Sequence, residues 1–241
     1  MKRSLSSGVP LVVLSFLRIP RLSPGVAMIV SCLACLSPPC AAQSTNAKPD
    51  LTKGDAPFDP AKLSLPDAAK RVVTQAQADM KAGKLAGFVF AASPDMKVWA
   101  IGAVAKDAPK YDPVDLARTA LEGCEFGLGA PCAILSIDGL DTRGKNGLWA
   151  KQPAMLNVRP NDFDATALPF VAAAVRPQTA DYGKATGARA FAITTGGGWL
   201  WRSGPNVAEA INRTMTDCAA QFRNGPCILY AVNGRVVFGA R

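Results

Sequence analysis

The chain contains no histidine. Imidazole is the usual general base and the commonest zinc ligand. Its absence removes Ser-His-Asp and Cys-His mechanisms, the usual zinc hydrolases, and haem or copper sites held by imidazole. A P-loop is missing too, because no Gly-Lys-Ser/Thr follows a glycine-rich turn. No run of five like charges occurs, and no apolar stretch approaches the roughly 20 residues of a membrane-spanning helix. No acidic residue precedes Asp50.

That last absence defines the N-terminus. Lys2 and Arg3 are followed by two short apolar stretches, Val9 to Leu17 and Val26 to Leu36. The segment ends in Cys40-Ala41-Ala42, small residues of the kind a signal peptidase accepts. Residues 1–42 are expected to be an export signal, which places the rest in the periplasm or outside the cell. Ile29-Val30-Ser31-Cys32 gives a rival expectation, a lipid anchor on Cys32. The whole chain carries a formal net charge of +9. The first 42 residues hold four basic side chains and no acid, so the remainder carries +5. So mild an excess predicts no nucleic-acid partner.

What is present is a repeat. Gly129-Ala130-Pro131-Cys132 leads through an apolar run to Asp138-Gly139, and Asn224-Gly225-Pro226-Cys227 leads through another to Asn233-Gly234. Upstream of each lies a helical stripe. One comprises Val114, Ala117, Ala120, Leu121 and Cys124; the other comprises Val207, Ala210, Ile211, Met215 and Cys218. Further upstream, Phe88 to Ala92 matches Ala190 to Thr194, and each is followed by a turn and a tryptophan strand, Val98 to Gly102 or Trp199 to Gly204. Asp-Gly and Asn-Gly between apolar runs predict hairpins, since both turn residues need positive φ. The expected organisation is a flexible leader over 43–63, a first unit over 64–153 with an added helix from Pro66 to Ala82, and a second unit over 154–241. Ser64 and Asp67 are expected to form a capping box. Leu168 to Val175 reads as a strand or a short helix ended by Pro177.

Four cysteines lie beyond residue 42: Cys124, Cys132, Cys218 and Cys227. An even number in an exported chain reads as disulfides. In each unit the first cysteine ends a helix and the second opens the next strand, so pairing within units is expected, each bridge contributing about 2–3 kcal/mol. None of the four belongs to a Cys-x-x-Cys pair. No metal site, cofactor or catalytic residue is expected. The acidic pairs Asp138/Asp141, Asp162/Asp164 and Glu122/Glu125 read as turn, loop and solvated-helix residues. Thr195-Gly196-Gly197-Gly198 reads as a hairpin turn.

The aromatics are the better recognition candidates. Trp199 and Trp201, two apart on a strand, share a face; Arg202 takes the other; Tyr230 lies on another strand of the unit and Trp149 in a long loop. The unit resembles a family of poorly characterised exported bacterial domains. The likeness rests on Ala190-Phe191-Ala192, the Trp199 to Gly204 strand, the helix ending at Cys218, Pro226-Cys227 and Asn233-Gly234, and more loosely on residues 87–139. The resemblance implies no catalytic residue. The expected fold is α+β: two small antiparallel-sheet units, each with one helix and one disulfide. The expected function is non-enzymatic binding of an envelope protein or a glycan. The alternatives are a carboxylate enzyme acting on cell-wall polymer, and an inhibitor that probes a secreted hydrolase with its 140–150 loop.

Overall fold

The computed structural model describes residues 48–108, 112–144, 146–156, 162–222 and 226–238. The expected signal segment, with Cys32, Cys35 and Cys40, lies outside the described residues.

Each half of the chain builds a four-stranded antiparallel sheet. The first contains β1 (Leu85–Ala92), β2 (Trp99–Ala105), β3 (Ala133–Ile137) and β4 (Leu140–Asp141), in the order β2-β1-β3-β4. The second contains β5 (Arg189–Thr194), β6 (Trp199–Ser203), β7 (Cys227–Val232) and β8 (Arg235–Val236), in the order β6-β5-β7-β8. The fold is α+β, and the two units repeat one another in detail. Trp99 lies opposite Ala92 and Trp199 opposite Ile193, so these tryptophans occupy one place; Ile101 and Trp201 occupy the next. Both central strands carry the same bulge, with Leu135 inserted in β3 and Tyr230 in β7. Both β3–β4 and β7–β8 turns use left-handed residues: Asp138 and Asn233 at φ +54° and +50°, each followed by glycine at +82°. Asp and Asn tolerate this region because the short side chain bonds locally. Here Asp138 Oδ1 accepts from Phe88 N–H, and Asn233 Oδ1 accepts from Arg189 N–H.

The connecting helices are α2 (Pro113–Leu128) and α4 (Val207–Gln221). Asp112 and Asn206 cap them, accepting from Val114 and Glu209 N–H. Cys124–Cys132 and Cys218–Cys227 are closed, with Cα atoms 6.2 and 6.1 Å apart, each tying a helix end to the strand that follows. Such bridges belong to an oxidising compartment. Among the described residues no helix is long and apolar enough to cross a membrane.

Sheet one is covered on both faces. Val89, Ala91, Ala100, Ile134 and Ile137 pack on α2, while Phe88, Phe90, Trp99, Ile101 and Leu135 pack against α1 (Asp67–Lys81). The capping box does not form: Pro66 holds the N-cap position and no side chain caps α1. The leader is not loose from residue 50 onward. Gly54 and Phe58 donate their N–H groups to the Asp141 and Gly139 carbonyls, both at 2.8 Å, and Phe58 is buried. Burial of an aromatic ring outweighs the polar composition that suggested flexibility. The second unit repeats this entry: Phe163 N–H donates to Gly234 C=O at 2.7 Å, and Asp162 bridges Arg235.

Beyond that point the units diverge. Residues 168–175 form neither strand nor helix; Phe170 sits at φ +63°, and Pro177 lies within a single 3-10 turn, 176–179. Only α3 (Ala180–Lys184) follows before β5. On the face opposite α4, the second sheet therefore carries no helix as long as α1 among the described residues.

Candidate functional site

On the second sheet one face belongs to α4, with Ala192 and Leu200 against Cys218 and the Thr214 hydroxyl bonded to Ala190 C=O. The other face is aromatic. Phe191, Tyr230, Tyr182 and Phe170 are buried there. Trp199 stacks on Phe191 with ring centres 6.0 Å apart and planes parallel, and Trp201 meets Tyr182 edge-on at 5.9 Å. Both tryptophans remain half-buried, although Trp99, in the place of Trp199, is buried and Ile101, in the place of Trp201, is only 2% exposed. The cause is local. α1 crosses this face of sheet one, whereas on sheet two the same face is packed by Phe163, Leu168, Phe170 and Val171 and, from α3, by Tyr182 beside Trp201, and the two indoles stay partly uncovered.

Tyr230 lies under this face as the bulge residue of β7, 6.2 Å from Phe191, and burial pushes its phenol up to about 12. Arg202 lies on the α4 side. Its Nε donates to Asp217 at 2.6 Å and its Nη1 to Trp201 C=O at 3.0 Å. Trp149 is not part of this surface: it packs against the first core, with the Arg143 guanidinium 5.1 Å over its ring. The structure thus brings Trp199, Trp201 and Tyr230 to one face, puts Arg202 on the opposite face, and leaves Trp149 in the other unit. The 140–150 loop is closed by Gly144 N–H to Leu148 C=O at 2.9 Å and presents Leu148, 66% exposed.

Of the six acidic residues weighed as catalytic candidates, the carboxylates of Asp138, Asp141, Asp164, Glu122 and Glu125 hold structural partners, and Asp162 is paired through its main chain. Asp138 Oδ2 accepts from Lys53 at 2.6 Å, Asp141 binds Arg143, Asp164 accepts from Thr166 N–H at 2.8 Å, and Asp162 bridges Arg235. Among the described residues no three Asp, Glu, His or Cys side chains are placed to hold a metal. A shallow, open groove of about 370 Å³ lined by Gln77, Met80, Lys81, Asp138 and Gly139 contains a single carboxylate.

Glu122 and Glu125 differ from expectation. Read as a solvated face of α2, they are 4% and 5% exposed. Glu122 binds Arg118 and accepts Phe170 N–H at 2.6 Å; Glu125 accepts Met155 and Leu156 N–H at 2.9 and 2.7 Å; Asp115 accepts Ala173 N–H at 2.8 Å. Arg118 also donates to Val171 C=O at 2.9 Å. This clamp ties Met155, Leu156 and the stretch from Phe170 to Ala173 to α2, while Phe170 and Val171 also pack in the core of sheet two. Burial pushes both glutamate carboxyls upward, Arg118 and the donated N–H groups opposing the shift at Glu122. Its visible trace in the sequence is the charged stripe Asp115, Arg118, Glu122, Glu125 on consecutive turns of one helix.

No family model, curated protein or solved structure matches the chain.

Proposed function

We propose that the protein is an exported, non-enzymatic binding protein of the cell envelope, periplasmic or secreted, whose contact surface is the half-open aromatic face around Trp199 and Trp201. A single comparison supports the reading. The two units share strand order, bulge, turn and disulfide, yet the place filled by buried Trp99 and Ile101 in one holds two half-buried tryptophans in the other. Large rings with an open side and a packed underside contribute strongly to contacts at low entropic cost, because the free protein already holds them in place. Envelope proteins and glycans are both surfaces that tryptophan recognises. The resemblance to exported bacterial domains carries the same expectation. The test is a periplasmic pull-down comparing wild type with a Trp199→Ala/Trp201→Ala double variant of matched thermal stability. Loss of retained partners or of bound glycan in the variant supports the reading; identical retention by the two proteins overturns it.

A further inference from the structure

The aromatic face borders an open sheet edge. Thr194 N–H donates to Gly198 C=O at 2.8 Å and Gly204 N–H to Ala188 C=O at 3.0 Å. In an antiparallel ladder the bonded pairs alternate. Gly198, Leu200, Arg202 and Gly204 therefore face β5, and Trp199, Trp201 and Ser203 turn their main-chain N–H and C=O groups away from the sheet. β6 is the terminal strand in its order. Arg202 and Ser203 on it are exposed, whereas β2, the same strand of the first unit, is buried from Trp99 to Val104. The opposite edge of each sheet is already completed by extended chain: Pro57 pairs with Leu140 on β4, and Asp162 pairs with Arg235 on β8. This protein thus adds extended segments to its sheets twice, and among the described residues no strand pairs with the outer edge of β6.

Resting on the binding function proposed above, we infer that the partner is an extended segment of another polypeptide, which adds to β6 as a fifth antiparallel strand. Only a polypeptide supplies alternating main-chain donors and acceptors to Trp199, Trp201 and Ser203. Apolar side chains at alternate positions of the incoming strand lie beside the two indoles, which supply the side-chain preference. Arg202 is the guard on this edge. Its Nη1 occupies the outward Trp201 carbonyl, a single exposed bond that blunts indiscriminate pairing and that an incoming N–H replaces. Freed from that carbonyl, the guanidinium favours an acidic residue on the α4 side of the added strand.

The test uses the disulfide-intact protein and a phage-displayed library of random 12-residue peptides, followed by titration of an enriched synthetic peptide. Ser203→Pro removes an outward N–H without touching the bonds to β5, a substitution that edge strands tolerate. The expected results are at least tenfold weaker peptide binding by Ser203→Pro, and at least tenfold slower amide exchange at Trp201 and Ser203 of the wild type when peptide is bound. Should Ser203→Pro not fold, the exchange measurement decides alone. Failure to enrich any peptide, equal binding by Ser203→Pro, or unchanged exchange at those two amides overturns the inference. An N-acetylglucosamine oligosaccharide is titrated in parallel. Binding that depends on Trp199 and Trp201 but ignores Ser203→Pro overturns strand addition and leaves the binding function standing. Binding of either probe that ignores both tryptophans overturns both.

Discussion

Glu122 on α2 and Phe170 in the second unit's entry segment are joined by a 2.6 Å bond from the Phe170 N–H to the carboxylate, and this bond ties a core residue of the second unit to the helix of the first. Phe170 sits at φ +63°, a conformation costing a bulky residue on the order of 1–3 kcal/mol. It is held because Glu122, Arg118 and Asp115 bind the backbone on either side. Replacing Glu122 with Ala leaves Arg118 without its deeper partner and Phe170 N–H without an acceptor. The expected loss is about 3–5 kcal/mol by urea unfolding, with faster amide exchange at Phe170 and Ala173. A loss under 1 kcal/mol with unchanged exchange would show that the clamp does not hold the segment.

Tyr230 supplies an alkaline limit. Its phenol, normally near 10.0, is pushed up to about 12 by burial. Because the folded value is raised, the stabilising contribution is fully present below pH 10 and is lost as pH rises towards 12. From the size of the shift it amounts to about 2–3 kcal/mol. Urea midpoints measured from pH 9 to 12 should fall more steeply for wild type than for Tyr230→Phe; parallel profiles would assign the alkaline loss to other groups.

The two bridges should differ in reducibility. Cys124 and Cys132 are both buried, whereas Cys227 is partly exposed beside buried Cys218. Thiolate attack requires access. Graded dithiothreitol followed by alkylation and peptide mapping should label Cys227 and Cys218 before Cys124 and Cys132. The reverse order would contradict the burial pattern.

Asn233 and Asp138 hold equivalent left-handed positions. Replacing either with Ala adds strain and removes a side-chain bond, to Arg189 at the start of β5 or to Phe88 within β1, at an expected cost of about 1–2 kcal/mol. Asn233→Gly keeps the backbone conformation and loses only the bond, so its thermal midpoint should fall between those of wild type and Asn233→Ala. If Asn233→Gly is no more stable than Asn233→Ala, backbone strain is not the cause.

The strands, both principal helices, the hairpin turns and both cysteine pairings were legible because each is encoded within about ten residues: apolar alternation, a cap, a turn dipeptide, a cysteine at each end of a short loop. The path of the entry segment, 162–176 with Met155 and Leu156 ahead of it, was not. Its backbone bonds go to carboxylates some 30 to 60 positions earlier in the chain, and no local pattern records such partners. For the same reason Glu122 and Glu125 looked solvated. The leader was misread because Phe58 lies alone among polar residues, although Phe58-Asp59 and Phe163-Asp164 recur as entry points in the two units. Of the recognition candidates, the shared face of Trp199 and Trp201 followed from strand alternation. Which neighbours pack on that face depends on Phe163, Phe170 and Tyr182, distant from it along the chain, and so lay beyond the reach of local spacing.

The clamp also makes the two principal helices unequal. Counting back from the helix cysteines, Asp115, Arg118, Glu122 and Glu125 on α2 correspond to Glu209, Asn212, Thr216 and Ala219 on α4. Only the first of these keeps a carboxylate, and it is engaged with Arg213 at 2.7 Å. The carboxylates that receive the entry segment on α2 are therefore not repeated on α4, and the two helices, alike in cap, length and disulfide, differ in this one function.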